Sequence, residues 1–409
     1  MSDSVRGSKR AYAVWGVSAL FVVYQFVLQV SAGVLADDME RDFGIGAAGV
    51  GLLTGLFSIA YAATQIPVGL LLDRGSPRRL MTASCLVCSA GTLVFGLAPT
   101  ATVAGVGRLA MGLGASFAFV GTGFLAARWL PVARFAFFVG LAEMAGMLGA
   151  AFGAGGLAAL LDVMSWRTLM HGAGAFGVVL AVVLWVVVRD APESTGDPAG
   201  EAESPPMGRA LSQLTGTPQV WVIASFYALS LGVLLGMAGL WDIPFLQTFG
   251  RNLPAAAAAN SWIFLGMAAG APLAGWISDR LARRRIVIQL SIVVTFVFLA
   301  LILYTPKLPL PLVWTLMFGF GLGSGGNILA FAVATENASQ ESRGAVMGVV
   351  NTFGFLGVTV LQFLPGFWMG DTLPPGAREF AGALTVFPAS LVLAFCLSFL
   401  IRETHPARG

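Results

Sequence analysis

Charged residues are scarce in this chain of 409 residues: Lys, Arg, Asp and Glu make up 11% of it, whereas ordinary soluble domains carry roughly a quarter. Hydrophobic residues reach 57%. A soluble core of this size cannot enclose so much apolar surface, because much of the surface of a folded domain must face water. The composition therefore excludes an ordinary soluble domain and indicates that the lipid bilayer is a partner of the chain.

The sequence also lacks the patterns of catalytic and metal sites. Of its three cysteines, Cys85 and Cys88 have the spacing of a zinc or redox pair, but no second pair or nearby His completes a site. There is no Gly-Lys-Ser phosphate loop, no nucleophile elbow and no basic stripe interleaved with aromatic residues. We therefore expect no enzyme activity, no cofactor, no metal and no nucleic-acid partner.

What the sequence does contain is long apolar runs. An apolar run of about 20 residues is long enough to cross a bilayer as a helix, and we count about twelve of them. The sequence therefore predicts an all-α integral membrane protein. The predicted spans are 12–35, 48–72, 79–97, 102–126, 135–160, 168–188, 219–242, 257–278, 286–305, 311–334, 345–368 and 380–401.

Basic residues are unevenly divided between the two sides of these spans. With the N-terminus inside, seventeen Lys and Arg residues fall in cytoplasmic segments and five in outside loops, and the remaining one, Arg108, falls within a span. Cytoplasmic loops of membrane proteins carry such an excess. We expect a multi-pass protein of the plasma membrane, here a bacterial inner membrane, with both termini cytoplasmic.

One loop occurs twice along the chain. GLLLDRGSPRR at 69–79 and GWISDRLARRR at 275–285 each lie between two apolar runs, and we call them the hinge loops. The segment between spans six and seven is rich in Pro and acids, which is typical of a flexible linker. We predict a six-helix bundle over 1–189, a cytoplasmic linker over 190–218 and a second bundle over 219–409. Two parallel repeats of this kind are typical of transporters that rock about a midline.

The hinge loops resemble the signature of the major facilitator superfamily between helices two and three, repeated between helices eight and nine. The resemblance covers essentially the whole chain and implies the fold of that family, with two six-helix bundles and alternating access. The other similar stretches are VLADDMERDFGI (34–45), GRLAMGLGASFAF (107–119), AARWLP (126–131), SWR (165–167) and SRGAVMGVVN (342–351).

The resemblance implies that the hinge-loop residues control conformational change by latching the two halves in the outward-facing state. Gly69 and Gly275 are expected to let neighbouring helices approach closely, since they carry no side chain. The alternative for the arginines is that they only set topology. Glu336 is expected to meet Arg343 or the hinge-loop arginines. The predicted gating residues are Gly69, Asp73, Arg74, Arg78, Gly275, Asp279, Arg280, Glu336 and Arg343.

Ionisable residues at membrane depth are costly and usually face a cavity or a partner. By resemblance, Arg108 occupies the helix-four Arg position of the family; the alternative is an interhelical hydrogen bond to a carbonyl. Glu143 is either a proton carrier or a neutral acid hydrogen-bonded between helices. Asp242 is expected to end span seven near the outer surface, where it lines the mouth or caps the next segment. Arg108, Glu143 and Asp242 are the predicted proton-coupling residues.

Uncharged polar residues in the spans complete a predicted substrate site. Gln25 and Gln29 are four residues apart and so share one face of a helix. By resemblance, helices one, four, seven and ten line the central cavity. The alternative for each residue is an interhelical hydrogen bond worth about 1 kcal/mol. The predicted substrate-binding residues are Gln25, Gln29, Arg108, Tyr227, Asn327 and Asn351.

We expect a monomeric secondary active transporter of a small polar or anionic organic solute, with the proton as candidate coupling ion. The alternative is a proton-antiport exporter of hydrophobic compounds, for which 30 Phe and 14 Met could build an apolar cavity. Exporters of the family usually place a Gly-Pro pair in helix five, whereas here Gly149 precedes Ala150. A transporter-like sensor would need an appended domain, and we expect none.

Overall fold

The computed structural model describes residues 8–130, 135–190, 218–305, 308–337, 343–369 and 376–404. Within these ranges the regular structure is helical, without a strand, and twelve helical segments are long and apolar enough to cross a membrane. The predicted all-α class with twelve spans is therefore confirmed. The predicted linker falls outside the described residues except at its two ends, so its boundaries stay a prediction.

The first six spans, which we call the N-half, are unbroken helices. An additional short helix, α2, follows the first span. The bounds are α1 (Lys9–Val34), α2 (Ala36–Phe43), α3 (Ala47–Arg74), α4 (Pro77–Leu97), α5 (Ala101–Trp129), α6 (Phe135–Leu161) and α7 (Trp166–Val187).

The last six spans, which we call the C-half, are less regular, because three of them are interrupted. The seventh and tenth spans change helix type, and the twelfth is broken by a turn at 384–385. A π-helical turn, Met237–Trp241, lies between α8 and α9, and a 3₁₀ turn, Gly325–Ile328, lies between α12 and α13. The helices are α8 (Pro218–Gly236), α9 (Asp242–Gln247), α10 (Leu253–Leu281), α11 (Arg284–Tyr304), α12 (Leu310–Ser324), α13 (Leu329–Glu336), α14 (Arg343–Met369), α15 (Ala377–Ala383) and α16 (Val386–Ser398).

Side-chain caps start several of the spans. Ser76 accepts a hydrogen bond from the backbone N–H of Arg79, and Pro77 occupies the first position of α4. The first N–H groups of a helix have no partner within it, and Pro at this position has no N–H to leave unpaired. Ser8, Thr100, Ser165 and Asn252 cap α1, α5, α7 and α10 in the same way.

The seventh span corrects the prediction that it ends at Asp242. The chain passes through the π-helical turn and continues as α9 to Gln247. Asp242 is fully buried, with 0% of its surface exposed. The prediction was wrong because an acid in an apolar run resembles a helix end, whereas here other helices cover it.

The two sides of the membrane can be told apart by the hinge loops. We call the side at which α1 begins, and on which Ser76 and Arg283 lie, the hinge face, and the other side the distal face. Ser76 donates to Asp190 over 2.6 Å, and Gln219 donates to the Leu400 carbonyl over 2.8 Å. The first bond places the end of α7 at the hinge face. The second joins the start of α8 to the end of α16, and the Arg284 backbone N–H, which donates to Glu403 over 2.7 Å, places both at the hinge face too.

The two halves meet mainly where α3 packs on α14 and α6 packs on α10. A Cβ added to Gly51 would lie 2.7 Å from the Gln362 carbonyl oxygen, and one added to Gly366 would lie 2.3 Å from that of Ala47. Small residues let membrane helices approach at this distance, where backbone packing and polar contacts hold them together. The closest packing of α3 on α14 is thus on the distal side.

Candidate functional site

Four of the polar residues at membrane depth lie at one level of the bilayer. Counting from the hinge-face ends of their helices, Glu143 and Asn351 are each eight residues in (143 minus 135, and 351 minus 343). Gln65 and Tyr227 are each nine residues in (74 minus 65, and 227 minus 218). At 1.5 Å per residue these positions lie about 12–14 Å from the helix ends. We call Gln65, Glu143, Tyr227 and Asn351 the polar layer.

The polar layer joins the two halves. Asn351 Nδ2 donates to Gln65 Oε1 over 2.8 Å, from α14 to α3. Glu143 of the N-half is an electrostatic neighbour of Tyr227 in the C-half and of Tyr61 on α3. Two of the predicted substrate residues, Tyr227 and Asn351, therefore lie at the same level as the predicted proton carrier.

Glu143 is half-buried, and no described residue forms an ion pair with it. An ionised carboxylate without a cation at this depth is costly, whereas the neutral acid is tolerated. The arrangement suits a group that exchanges a proton with solvent, since it is neither sealed in nor neutralised by a fixed partner.

Arg108 lies in a different place, inside the N-half. Its Nη1 and Nε donate to the carbonyls of Leu28 and Leu53, each over 3.3 Å, which ties α5 to α1 and α3. The guanidinium lies 5.0 Å from the centre of the Phe57 ring, and the side chain is 1% exposed. The alternative reading of Arg108, an interhelical hydrogen bond to a carbonyl, is thus present in the structure. Its third nitrogen, Nη2, has no partner among the described residues.

Three other predicted substrate residues are buried and incompletely hydrogen-bonded. Gln25, Gln29 and Asn327 are 1%, 3% and 6% exposed. Gln29 Nε2 and Asn327 Nδ2 are donors, and Gln25 Oε1 is an acceptor, that find no partner in the described part of the chain. Gln65 Nε2 is a further donor in this condition. Buried polar groups are normally paired, so these atoms are candidates for contact with a ligand or water.

Asp242 is separate from the polar layer. Asn260 of α10 donates through Nδ2 to Asp242 Oδ2 over 2.8 Å and to the Ala238 carbonyl over 2.7 Å. Asn260, like Asp242, is 0% exposed. The expectation that Asp242 lines the outer mouth is wrong for this conformation, because helices of the C-half and α1 cover it.

At the hinge face, the second hinge loop forms an ion-pair network within the C-half. Arg284 contacts Asp279 over 2.6 Å and Glu336 over 3.1 Å. The predicted meeting of Glu336 with a hinge-loop arginine is thus confirmed for Arg284. Arg280 instead lies against the Trp276 ring, at 5.2 Å from its centre.

The first hinge loop is held by α7. Arg78 Nε donates to the Trp185 carbonyl over 2.7 Å, and its guanidinium lies 4.0 Å from the centre of the Trp185 ring. The side chains of Asp73, Arg74 and Arg343, which belong to the predicted latch, lie outside those that the structure describes. What is visible of both hinge loops consists of bonds within a half.

The two hinge-loop glycines correct another expectation. A Cβ added to Gly69 or Gly275 would meet no described atom within 4 Å. They do not mediate close helix approach in this conformation, since the helices are spaced apart at their positions.

Sequence reasoning missed Tyr61, Gln65, Asn260 and Gln362. Gln362 accepts from Ser58 over 3.2 Å and donates to the Leu235 carbonyl over 3.2 Å, so it also joins the halves. The available signal was a polar residue within an apolar run, which is costly at membrane depth. Within the described ranges, no three His, Cys, Asp or Glu side chains cluster as metal ligands would.

Comparison with known proteins identifies the family. The model of the Major Facilitator Superfamily matches residues 17–362. The probable nitrate/nitrite transporter NarK2 of Mycobacterium tuberculosis is 28% identical, over 88% of this chain and 89% of that protein. The probable galactarate/D-glucarate transporter GudP of Escherichia coli is 23% identical, over 95% of this chain and 92% of that protein.

Solved structures show the same fold. A bacterial homologue of the human lysosomal transporter Spinster, in an inward-facing and occupied conformation, superimposes with a TM-score of 0.79 at 19% identity, over 97% of this chain and 98% of that one. The nucleoside transporter NupG superimposes with a TM-score of 0.77 at 14% identity, over 96% of this chain and 100% of that one. The chain is therefore a multi-pass membrane transporter, not an enzyme, and belongs to the Major Facilitator Superfamily.

Proposed function

We propose that this chain is a monomeric secondary active transporter that moves a small anionic organic solute together with a proton by alternating access. One observation carries the anionic part of the proposal. Gln29, Gln65, Arg108 and Asn327 each present a buried N–H donor without a partner among the described residues. An anion is acceptor-only and satisfies such donors, and the Arg108 charge attracts it through a low-dielectric interior.

The relatives support the anionic solute. NarK2 and GudP are named as probable transporters of nitrate or nitrite and of galactarate or D-glucarate, and all of these are anions. This chain shares with them most of its length but less than a third of its residues.

The distribution of contacts supports alternating access. Four hydrogen bonds between described residues cross from one half to the other: Asp37–Gln247, Ser58–Gln362, Ser261 to the Ala151 carbonyl, and Gln65–Asn351. The Gln65–Asn351 pair of the polar layer is the one nearest the hinge face. This pattern closes the distal side, and it resembles an inward-facing state if the hinge face is cytoplasmic, as the basic residues predict.

Glu143 supplies the proposed coupling. When it is ionised, its charge opposes an anion that passes through the interior between the halves, and when it is protonated that repulsion is removed. Anion and proton therefore favour each other's binding, and by linkage the effect is reciprocal. The expected result is symport across a bacterial inner membrane with both termini cytoplasmic.

Counterflow in proteoliposomes tests the proposal. A panel of labelled carboxylates, sugars and cationic dyes would be exchanged by the parent protein, by Arg108→Ala and by Arg378→Ala, which removes an exposed distal charge as a control. We expect exchange of a carboxylate that Arg108→Ala reduces at least about tenfold, or 1.4 kcal/mol, and that Arg378→Ala leaves unchanged. Exchange of dyes alone would instead establish the exporter of hydrophobic compounds.

The coupling is tested in the same vesicles. We expect Glu143→Gln to retain exchange of the carboxylate but to lose its accumulation under an imposed pH gradient, because the amide cannot carry a proton. Accumulation by Glu143→Gln equal to that of the parent would contradict the role of Glu143.

A further inference from the structure

Asp242 and Asn260 form a buried pair whose hydrogen bonds are half complete. Asn260 Nδ2 uses both of its hydrogens, one to Asp242 Oδ2 and one to the Ala238 carbonyl. This fixes the orientation of the amide, since both contacts require the nitrogen. The two remaining oxygens, Asp242 Oδ1 and Asn260 Oδ1, are both acceptors, and neither has a partner of ordinary hydrogen-bond geometry among the described residues, although the backbone N–H groups of Asp242 and Ile243 also approach the carboxyl.

A single proton on Asp242 removes this defect. The proton turns Oδ1 of the carboxyl into a donor. The acceptor it needs is Oδ1 of Asn260, which belongs to the amide that already contacts this carboxyl. A carboxylic acid and an amide can join in this way through two parallel hydrogen bonds, N–H···O and O–H···O. Protonation also avoids an uncompensated buried charge, which costs far more than a neutral buried acid.

We propose that Asp242 and Asn260 are a proton-binding site, occupied when the distal side is closed and emptied when it opens. The inference rests on the proposed function for its role in transport, but it concerns a different acid from Glu143. Glu143 lies in the N-half, whereas Asp242 is a second titratable position, in the C-half and on the distal side of the polar layer.

No described charged group is placed to replace the proton. The elements packed against the π-helical turn and α9 are α1, α8, α10, α14 and α15, and α2 approaches through the Asp37–Gln247 bond. The charged residues of α1 and α10 are at the hinge face, and Asp279 is nineteen residues from Asn260, or about 28 Å along α10. None of the described titratable groups on these elements contacts Asp242. Those groups are Lys9, Arg10, Tyr12, Tyr24, Asp37, Asp38, Glu40, Arg41, Asp42, Tyr227, Asp279, Arg280, Arg378 and Glu379.

The pair is built into the closed distal contact. Trp241, next to Asp242, donates to the Gln362 carbonyl over 2.9 Å, and Gln362 in turn accepts from Ser58 of the N-half. A Cβ added to Gly33 of α1 would lie 3.2 Å from the Leu240 backbone. Ionisation of Asp242 would call for water or a cation, and neither enters this packing without separating α1 from the seventh span.

Infrared difference spectroscopy tests proton occupancy directly. Purified parent protein in nanodiscs would be compared at acidic and alkaline pH for the C=O stretch of a protonated carboxyl. We expect Asp242→Asn to abolish one such band, whereas Glu143→Gln and Glu40→Gln leave that band in place. A spectrum of Asp242→Asn with every protonated-carboxyl band of the parent would overturn the proposal.

Distances across the distal face test the link to opening. Spin labels at Val163→Cys and Arg378→Cys would be introduced into protein with Cys85, Cys88 and Cys396 replaced. We expect a longer-distance population to appear in the parent as pH rises and to be absent in Asp242→Asn, whose amide keeps the neutral form. An equal pH response in Asp242→Asn would overturn the role in opening.

The variants separate this inference from the proposed function. Should Asp242→Asn fail to fold, Asn260→Ala takes its place, and an unshifted carboxyl band there would contradict the pairing. If the parent exchanges no anion but Asp242→Asn still loses its band, the proton site stands and the proposed function fails. If the parent exchanges carboxylates and the band persists in Asp242→Asn, the reverse holds.

Discussion

The hinge face and the distal face of this transporter are held together by different sets of bonds. At the hinge face, the described bonds of Arg284 with Asp279 and Glu336, and of Arg78 with Trp185, stay within one half. Farther toward the distal face, four hydrogen bonds and the close approach of Gly51 to α14 join one half to the other.

Under the proposed mechanism, this difference separates the contacts that break from those that persist. Four hydrogen bonds of about 0.5–1.5 kcal/mol each amount to about 2–6 kcal/mol. A shift from 1:99 to 99:1 between two states requires about 5.5 kcal/mol. In the proposed alternating access, the bonds across the halves are therefore weak enough for a ligand to break, whereas the ion pairs within a half would persist in both states.

The largest expected effect comes from Gly51→Leu. Its Cβ would lie 2.7 Å from the Gln362 carbonyl, and overpacking of this kind costs about 1–3 kcal/mol. We expect the ratio of the closed to the open distal state to fall by up to about a hundredfold. Alkylation of a cysteine at Thr54, now 1% exposed, should accelerate accordingly.

Gly55→Ala is the matched control for that experiment. A Cβ at Gly55 would be 3.4 Å from Thr359, an ordinary contact, so the alkylation rate should change little. Equal acceleration by both variants would show that the close approach of α3 to α14 does not hold the distal side closed.

Next in size is Arg284→Ala, which attacks the hinge face. Arg284 pairs with an exposed Asp279 and a less exposed Glu336, so the loss, after screening by solvent, should be about 1–2 kcal/mol of folding stability. We expect a lower Tm with an unchanged alkylation rate at the Thr54 position. A changed rate with an unchanged Tm would mean that these bonds also act across the halves.

The bond in the polar layer should have a smaller effect. Gln65→Leu and Asn351→Leu each remove one neutral hydrogen bond, worth about 1 kcal/mol. Each should shift the alkylation rate about fivefold toward the open state. In a double-mutant cycle, the two substitutions together should cost little more than one, and full additivity would argue against a direct bond in the membrane.

The smallest expected effect is a pH dependence at the distal surface. Burial, and then the charge of Asp37, raise the pKa of Glu40 from 4.5 to about 7. The folded state therefore holds a proton that the unfolded state has lost, and stability falls as pH rises between these two values. We expect a loss below about 1 kcal/mol after screening. Tm measured against pH should decline less over this range in Glu40→Gln than in the parent.

The sequence predicted the spans well, because each needs only an uninterrupted apolar run and a cap or turn at its end. The site was predicted in part. Glu143, Tyr227 and Asn351 were named, and the structure brings them to one level of the bilayer. Gln65 was missed, since its bond to Asn351 connects residues 286 positions apart. The burial of Asp242 was missed because it depends on Asn260 in another helix and on a local change of helix type.

That change of helix type has a consequence for the rotation of α9. A π-helical turn behaves like one extra residue inserted in an α-helix, and each residue of an α-helix turns the chain by about 100°. Deleting one residue from Met237–Trp241 would restore an ordinary helix and rotate Asp242 by about that angle, away from Asn260. The shortened protein could keep its twelve spans and yet present a different side chain to α10, so the phase of this helix is set by a single additional residue.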